Sequence, residues 1–189
     1  MPRQARSRET VAVLVEAAAQ VFSREGLSAT TNRIAERAGL SIGTLYQYFP
    51  DKDALLRAVA ERHVADTARR LTAEFDRLRI DAPGFDETIR AILAVIVDEH
   101  RAHPRLHAVM HRLLPTTARD LETMRDLEEH VVEEVAFHLK RLDRGGDDVE
   151  LTARTVVAAV DAHVHRVMTE RGFDVERLAT LITALAPPR

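Results

Sequence analysis

Apolar residues recur every three or four positions along almost the whole chain, as they do on the buried face of an amphipathic helix. The first such segment runs from about Ser7 to Arg24. No stretch alternates apolar and polar residues as a half-buried strand does, and the chain has no Asn-Gly hairpin turn. The pattern predicts an all-α fold.

Glycine and proline divide this helical pattern into about nine segments. Two short helices follow the first, and a long connecting helix begins at Pro50-Asp51 and continues to about Leu78. The later segments cover about 86–102, 106–114, 116–142, 149–171 and 174–185. We therefore predict a three-helix head domain over residues 1–52 and a helical body domain over residues 53–189. The connecting helix is the first helix of the body domain.

The stretch ATTNRIAERAGLSIGTLYQYFPDK predicts two short helices joined by a tight turn. Thr30 is placed to cap the first helix, and Gly39 ends it, because a left-handed backbone is easy for glycine. Ser41 can cap the second helix, whose Leu45 and Phe49 face inward. This arrangement is a helix-turn-helix, whose second helix would lie in the major groove of DNA.

Composition narrows the class of protein further. The chain has no cysteine, which excludes a disulfide framework and a thiolate metal site. No apolar run approaches the roughly 20 residues of a membrane span, and Glu16 interrupts the N-terminal apolar segment, so we expect a soluble, cytoplasmic protein. The net charge of −3 divides into +2 over residues 1–60 and −5 over the rest, which fits a DNA-binding head on a different kind of body.

The sequence offers no catalytic or metal-binding pattern, and we predict no enzyme, no cofactor and no metal. A Gly-x-Ser-x-Gly motif and a phosphate-binding loop are both absent. Four histidines are spaced three or four residues apart: His100, His103, His107 and His111. Pro104 breaks their helix, and no Glu-x-x-His motif accompanies them. His163 and His165 are two residues apart and cannot share a helical face.

The order of a helix, a threonine, Ile-Ala-x-x-Ala-Gly-x-Ser, Gly-Thr-Leu-Tyr-x-Tyr-Phe, a lysine and Leu-Leu resembles the TetR family of bacterial transcriptional repressors. The close resemblance covers about Val11 to Leu56, and the rest agrees only in the number, length and punctuation of its helices. It implies a homodimer that binds an inverted-repeat operator in double-stranded DNA and is released by a small-molecule effector. The alternative is a constitutive DNA-binding or structural protein with a filled core and no effector.

The resemblance also implies which residues contact DNA. Base edges would be met by Ile42, Gly43 and Gln47, with Gln47 suited to adenine and Ile42 to a thymine methyl. Phosphates would be met by Thr31, Asn32, Thr44, Tyr46, Tyr48 and Lys52, and Asn32 has a base edge as its alternative. The family usually has an acid where Arg33 stands, so Arg33 is left to contact either the DNA backbone or solvent.

For the body, the resemblance implies a dimer interface on the last two helices. The residues expected there are Val156, Val160, Val164, Val167, Leu178, Leu181 and Ile182, for which burial inside the body is the alternative. The residues expected to line an effector pocket are Phe75, Ile89, Leu93, His107, Met110, His111, Leu114, Met124 and Phe137.

Overall fold

The computed structural model describes residues 2–113 and 118–188, without the side chains of residues 2–4, 111–113, 118–124, 169 and 170. Within these ranges the chain is helical and contains no β-strand, which confirms the predicted all-α fold. The helices are α1 Pro2–Glu25, α2 Thr31–Ala38, α3 Ile42–Tyr48, α4 Lys52–Asp81, α5 Phe85–Ala102, α6 Pro104–Leu113, α7 Ala118–Arg141, α8 Val149–Ala162, α9 Met168–Arg171 and α10 Val175–Leu185. A 3₁₀ turn over Gly26–Ser28 follows α1, and a π-helical turn over His163–Val167 joins α8 to α9.

Side-chain caps set the helix starts that the sequence predicts. The hydroxyl of Thr30 accepts a hydrogen bond from the backbone N–H of Arg33, and that of Ser41 accepts one from Thr44. Asp148 and Asp174 cap α8 and α10 in the same way. Each cap satisfies a backbone donor that has no partner within its helix.

The helices form two compact units. The head unit contains Met1–Ala65 and His103–Thr116, and the body unit contains Asp66–Ala102 and Thr117–Arg189. These units do not coincide with the predicted boundary after residue 52, because the first half of α4 and the whole of α6 belong to the head unit.

The core of the head unit is largely aliphatic and draws on every helix of that unit. Its buried residues include Leu14 and Phe22 from α1, Ile34 from α2, Leu45 from α3 and Leu55 from α4. Helix α6 adds Leu106, Val109 and Met110. Their i, i+3, i+4 spacing gives α6 one apolar face, and the head core buries that face.

The core of the body unit is built from α4, α5, α7, α8, α9 and α10 and from the π-helical turn. Its fully buried side chains include Phe75, Leu78, Leu139, Met168 and Leu178. Val164 in the π-helical turn and Met168, four residues later, are both buried in this core. Within the described ranges, none of the helices combines the length and the apolar composition needed to span a membrane.

We expect Gly39→Ala to lower the free energy of unfolding by about 1–2 kcal/mol. Gly39 has φ 67°, in the left-handed region, and a Cβ there would meet nothing within 4 Å, so the cost is a backbone cost alone. Urea unfolding followed by circular dichroism measures it. The matched control is Gly84→Ala, where a Cβ also meets nothing within 4 Å and φ is not positive. A loss of equal size in both variants would contradict the backbone explanation.

Candidate functional site

Helix α3 has one buried face and one exposed face. Leu45 is fully buried and Phe49 is 8% exposed, and together they fix α3 to the head core. On the opposite face Ile42 is 36% exposed and Tyr46 50% exposed, and Gly43 and Gln47 are exposed beside them. Helix α3 carries no charged side chain. It therefore presents an uncharged face with apolar groups and an amide. Side chains of these types can contact base edges in the major groove, the amide by hydrogen bonds and the apolar groups at thymine methyls.

Thr31 and Tyr46 form a second part of this surface. The Thr31 Oγ1 and Tyr46 hydroxyl oxygens lie 3.1 Å apart, which ties the first turn of α2 to the exposed face of α3. Asn32 is exposed next to Thr31. The N-terminus of α2 carries a partial positive charge, and its first turn contains no acidic residue that would neutralise it. This end of α2 therefore favours an anion such as a phosphate.

The other three predicted phosphate contacts have partners inside the head unit. Thr44 Oγ1 lies 2.8 Å from Ser41 Oγ, and Tyr48 packs half-buried against the head core. Lys52 Nζ donates hydrogen bonds to the carbonyl oxygens of Leu27 at 3.4 Å and Ala29 at 3.3 Å. The ammonium group of Lys52 thus holds the chain between α1 and α2, and its contact with DNA stays a prediction.

Arg33 forms an ion pair in addition to the two alternatives, DNA backbone or solvent, that the sequence left open. Its Nε lies 3.0 Å from a carboxylate oxygen of Glu25, so the side chain reaches back to the end of α1. Its side chain remains 63% exposed, and an exposed ion pair of this kind contributes at most about 1 kcal/mol.

A polar network that the sequence analysis missed joins α2 and α4 to α1. Arg37 Nε donates to Gln20 Oε1 at 2.8 Å, and Gln20 Nε2 donates to Glu16 Oε1 at 2.7 Å. Arg62 on α4 pairs with Glu16 at 3.0 Å. The hydrogen bond from Gln20 holds the pKa of the Glu16 carboxyl below its usual value, and Arg62 lowers it further. Only the i, i+4 spacing of Glu16 and Gln20 was visible in the sequence.

Two family models match this chain, and one of them covers the whole helix-turn-helix. The family model described as "Bacterial regulatory proteins, tetR family" matches residues 14–59, and that described as "Tetracyclin repressor-like, C-terminal domain" matches residues 85–186. The second match alone covers more than half of the chain. The chain belongs to the TetR family of transcriptional regulators.

The chain is also similar to an individual relative in sequence and to solved structures in fold. An uncharacterized HTH-type transcriptional regulator of Mycobacterium tuberculosis is 27% identical over 179 residues, which cover 92% of this chain and 74% of the relative. The crystal structure of a TetR-like regulator from Rhodococcus sp. RHA1 has 24% identity and a TM-score of 0.65, covering 93% of this chain and 92% of the other. A TetR regulator from Haloarcula marismortui has a TM-score of 0.72 at 15% identity, with 94% and 96% covered.

The residues expected to line a TetR effector pocket are divided between the two units. Phe75, Ile89 and Leu93 are buried in the body core, whereas Met110 is buried in the head core. His107 also belongs to the head unit, where its ring meets that of His63 edge-on at 4.5 Å. Three more lie outside the described side chains: His111, Leu114 and Met124.

The remaining pocket candidate, Phe137, lies at the surface of the body unit. Its side chain is 36% exposed, and the guanidinium carbon of Arg79 stands 3.7 Å from the centre of its ring. Phe137 thus forms a cation–π contact with Arg79. Ile89 also borders a groove of about 380 Å³ between α5 and α10, with Asp86, Arg90, Ala179, Thr180, Thr183 and Ala184.

The structure corrects most of the predicted dimer interface. Five of its seven residues are at most 7% exposed within one chain: Val156, Val160, Val164, Leu178 and Ile182. A side chain that its own chain buries has no surface left for a second copy, so these five are core residues. Val167 and Leu181 remain half-buried. An apolar stripe on a helix does not show whether its own chain or a partner covers it.

His138 makes the stability of the body unit depend on pH. Its ring is 2% exposed and stacks on Phe75, and burial lowers its pKa below the usual value near 6.5. The positive charge of Arg141 lowers the pKa of His138 further. Nη2 of Arg141 lies 3.4 Å from Nδ1 of His138. The unfolded chain therefore takes up this proton more readily, and the free energy of unfolding falls as pH drops below about 6.5.

We expect this dependence, at most about 1.4 kcal/mol per pH unit for one group, to be weaker in a His138→Gln variant. Urea unfolding at pH 7.5 and pH 5.5 gives the change in the free energy of unfolding between the two pH values, and this change is compared between the wild type and the variant. The same pH dependence in both proteins would contradict the role of His138.

Proposed function

We propose that this regulator binds an inverted-repeat operator as a homodimer, represses transcription from it, and is released by a small-molecule effector. The observation that carries the DNA-binding part is the exposed, uncharged face of α3, with Ile42, Gly43 and Gln47 side by side. The proposal places the protein in the cytoplasm, where bacterial DNA lies, and assigns it no catalytic step.

Around this face we assign phosphate contacts to the hydroxyl pair of Thr31 and Tyr46 and to the exposed Asn32. We also assign phosphate contacts to Thr44, Tyr48 and Lys52. We expect each of these to contribute less to the binding energy, since each already has a partner in the head unit. In this assignment Gln47 supplies sequence preference, and the phosphate contacts fix the register of the protein on the duplex.

For the homodimer we propose the exposed side of α8 and α10 in place of the buried stripe. Leu151 on α8 is 61% exposed, and Thr155 and Ala158 are exposed at the following i+4 and i+7 positions. On α10, Thr180 and Ala184 are exposed beside the half-buried Leu181. Small side chains at these positions allow the helices of two copies to approach closely, so that Leu151 and Leu181 lose their exposure.

For the effector we propose an apolar small molecule held by the body unit, near Phe75, Ile89 and Leu93. Two fold neighbours have names that point to such compounds: SmeT, solved in complex with triclosan, and the fatty acid degradation regulator FadR of Bacillus halodurans. They are 21% and 19% identical to this chain, with TM-scores of 0.60 and 0.66. An effector acts only through different affinities for two conformations, and a tenfold change in DNA affinity requires about 1.4 kcal/mol.

The experiment that tests the proposal is selection of bound duplexes from a random DNA library, followed by titration of the enriched sequence at two salt concentrations. We expect an inverted repeat that binds in the nanomolar range and more weakly at high salt, with sedimentation showing two 21.2 kDa chains per duplex. No enriched sequence would refute the operator, and a repeat whose binding no apolar compound changes would favour the constitutive alternative.

Gln47→Ala and Lys52→Ala separate base reading from phosphate binding. Gln47→Ala should cost about 1–3 kcal/mol of discrimination at one base position and leave binding to unrelated sequences unchanged. Lys52→Ala should weaken binding to all sequences alike and reduce the salt slope by about one. Titrations of both variants on the selected operator and on one unrelated duplex measure these effects. If Lys52→Ala leaves the slope unchanged, Lys52 only holds the carbonyls of Leu27 and Ala29.

A further inference from the structure

Two histidines from distant parts of the chain meet inside the body unit. His100 in the last turn of α5 is 7% exposed, and His165 lies in the π-helical turn after α8. Their Nε2 atoms are 2.8 Å apart, and their ring centres are 4.7 Å apart. The two residues are 65 positions apart in sequence, which explains why histidine spacing did not reveal the pair.

The other ring nitrogen of each histidine, Nδ1, lies close to an oxygen atom. Nδ1 of His100 lies 2.8 Å from the carbonyl oxygen of Ile96, which can only accept, so Nδ1 carries the proton. Nδ1 of His165 lies 2.9 Å from a carboxylate oxygen of Asp161. In the neutral form of His100, Nε2 is therefore the nitrogen with the lone pair.

The ring nitrogens of His100 and His165 lie close enough together to bind one metal ion between them. A carbonyl or carboxylate that accepts from Nδ1 is also the usual outer partner of a metal-binding histidine, because it fixes the ring and makes Nε2 more basic. Two nitrogens 2.8 Å apart, each about 2.05 Å from one ion, subtend roughly 86° at it. That angle is close to the right angle between neighbouring ligands of an octahedral ion.

We propose that His100 and His165 bind a divalent late-transition metal ion through their Nε2 atoms, with Asp161 as the carboxylate that orients His165. Imidazole nitrogen suits Ni²⁺ and Zn²⁺ in particular. The other coordination positions take water or donor atoms beyond these residues. The ion joins α5 to the π-helical turn, and the wider turn there sets the direction of His165. The proposal does not depend on the DNA-binding role.

The test uses the full-length, untagged protein, stripped of metal with a chelator and titrated with Ni²⁺ and separately with Zn²⁺. Equilibrium dialysis with elemental analysis should find about one ion per chain, and bound ion should raise the melting temperature. His165→Asn should abolish this binding. The matched control is His163→Asn, which removes a histidine from the same turn and should leave binding and the temperature shift intact.

Asp161→Asn gives a second, independent variant. Its side chain is 68% exposed, so the fold should tolerate the change, while the loss of the outer carboxylate should weaken metal binding about 10–100-fold. Circular dichroism of the metal-free proteins verifies that each variant is folded. The proposal is overturned if the folded wild-type chain binds no stoichiometric ion, in which case the two rings share a proton. It is equally overturned if His165→Asn and His163→Asn bind the ion alike.

Discussion

Gly43→Glu is expected to lower the affinity for operator DNA at least about 100-fold, or roughly 2.7 kcal/mol. Gly43 is exposed in the first turn of α3, and a Cβ there would meet only Ser41 Oγ, at 3.7 Å, which is an ordinary contact. The free protein therefore accommodates the longer side chain. On DNA the new carboxylate would face phosphates and base acceptors in a groove with no counter-charge on α3 to pair with it.

The measurement is a titration of the selected operator by fluorescence anisotropy, with circular dichroism and melting temperature to show that the fold is kept. Gly43→Ala is the control, because it adds a Cβ in the same place without a charge and should lose far less affinity. If Gly43→Glu kept full affinity and sequence preference, α3 would not be the helix in the groove.

Phe22→Ala is expected to remove about 3–5 kcal/mol from the free energy of unfolding of the head unit. Phe22 on α1 is fully buried, in the same core as Ile34 of α2 and Leu45 of α3. Truncation to alanine leaves a cavity among three helices, and small cores collapse poorly around such a loss. The free energy of unfolding of a unit of this size is only a few kcal/mol, so part of the variant should be unfolded. DNA binding should therefore fall together with helical content.

Urea unfolding followed by circular dichroism, together with operator titration at 25 °C, measures both consequences. Val13→Ala on the same helix is the matched control, since Val13 is 42% exposed, and we expect it to change stability by at most about 0.5 kcal/mol. Equal losses in the two variants would mean that the face of α1 carrying Phe22 does not hold the head unit together.

The sequence was sufficient for the features that depend on local chemistry. Thr30, Gly39 and Ser41 cap or end the short helices as predicted, because a hydroxyl or a left-handed glycine acts on its own few neighbours. The inward positions of Leu45 and Phe49 were also predicted correctly, since the helix-turn-helix has a short and specific pattern.

Features that depend on the packing of helices distant in sequence could not be predicted from local sequence patterns. Periodicity gave Val156, Val160 and Val164 an apolar face, but not the fact that the body core covers it. It gave α6 an apolar face as well, but not its burial in the head unit. The contact of His100 with His165 also depends on a π-helical turn, for which the sequence carries no signal that we can identify.

The uncharged face of α3 has a consequence for how such a regulator behaves when a cell gains or loses ions. Salt weakens protein–DNA binding because neutralised phosphates regain their counterions, and contacts from uncharged groups to bases release none. Since the side chains proposed to read bases carry no charge, the preference for the operator over the rest of the genome should stay nearly constant across an osmotic shift. Such a shift would lower the affinity for every site by about the same factor and leave the ranking of target genes unchanged.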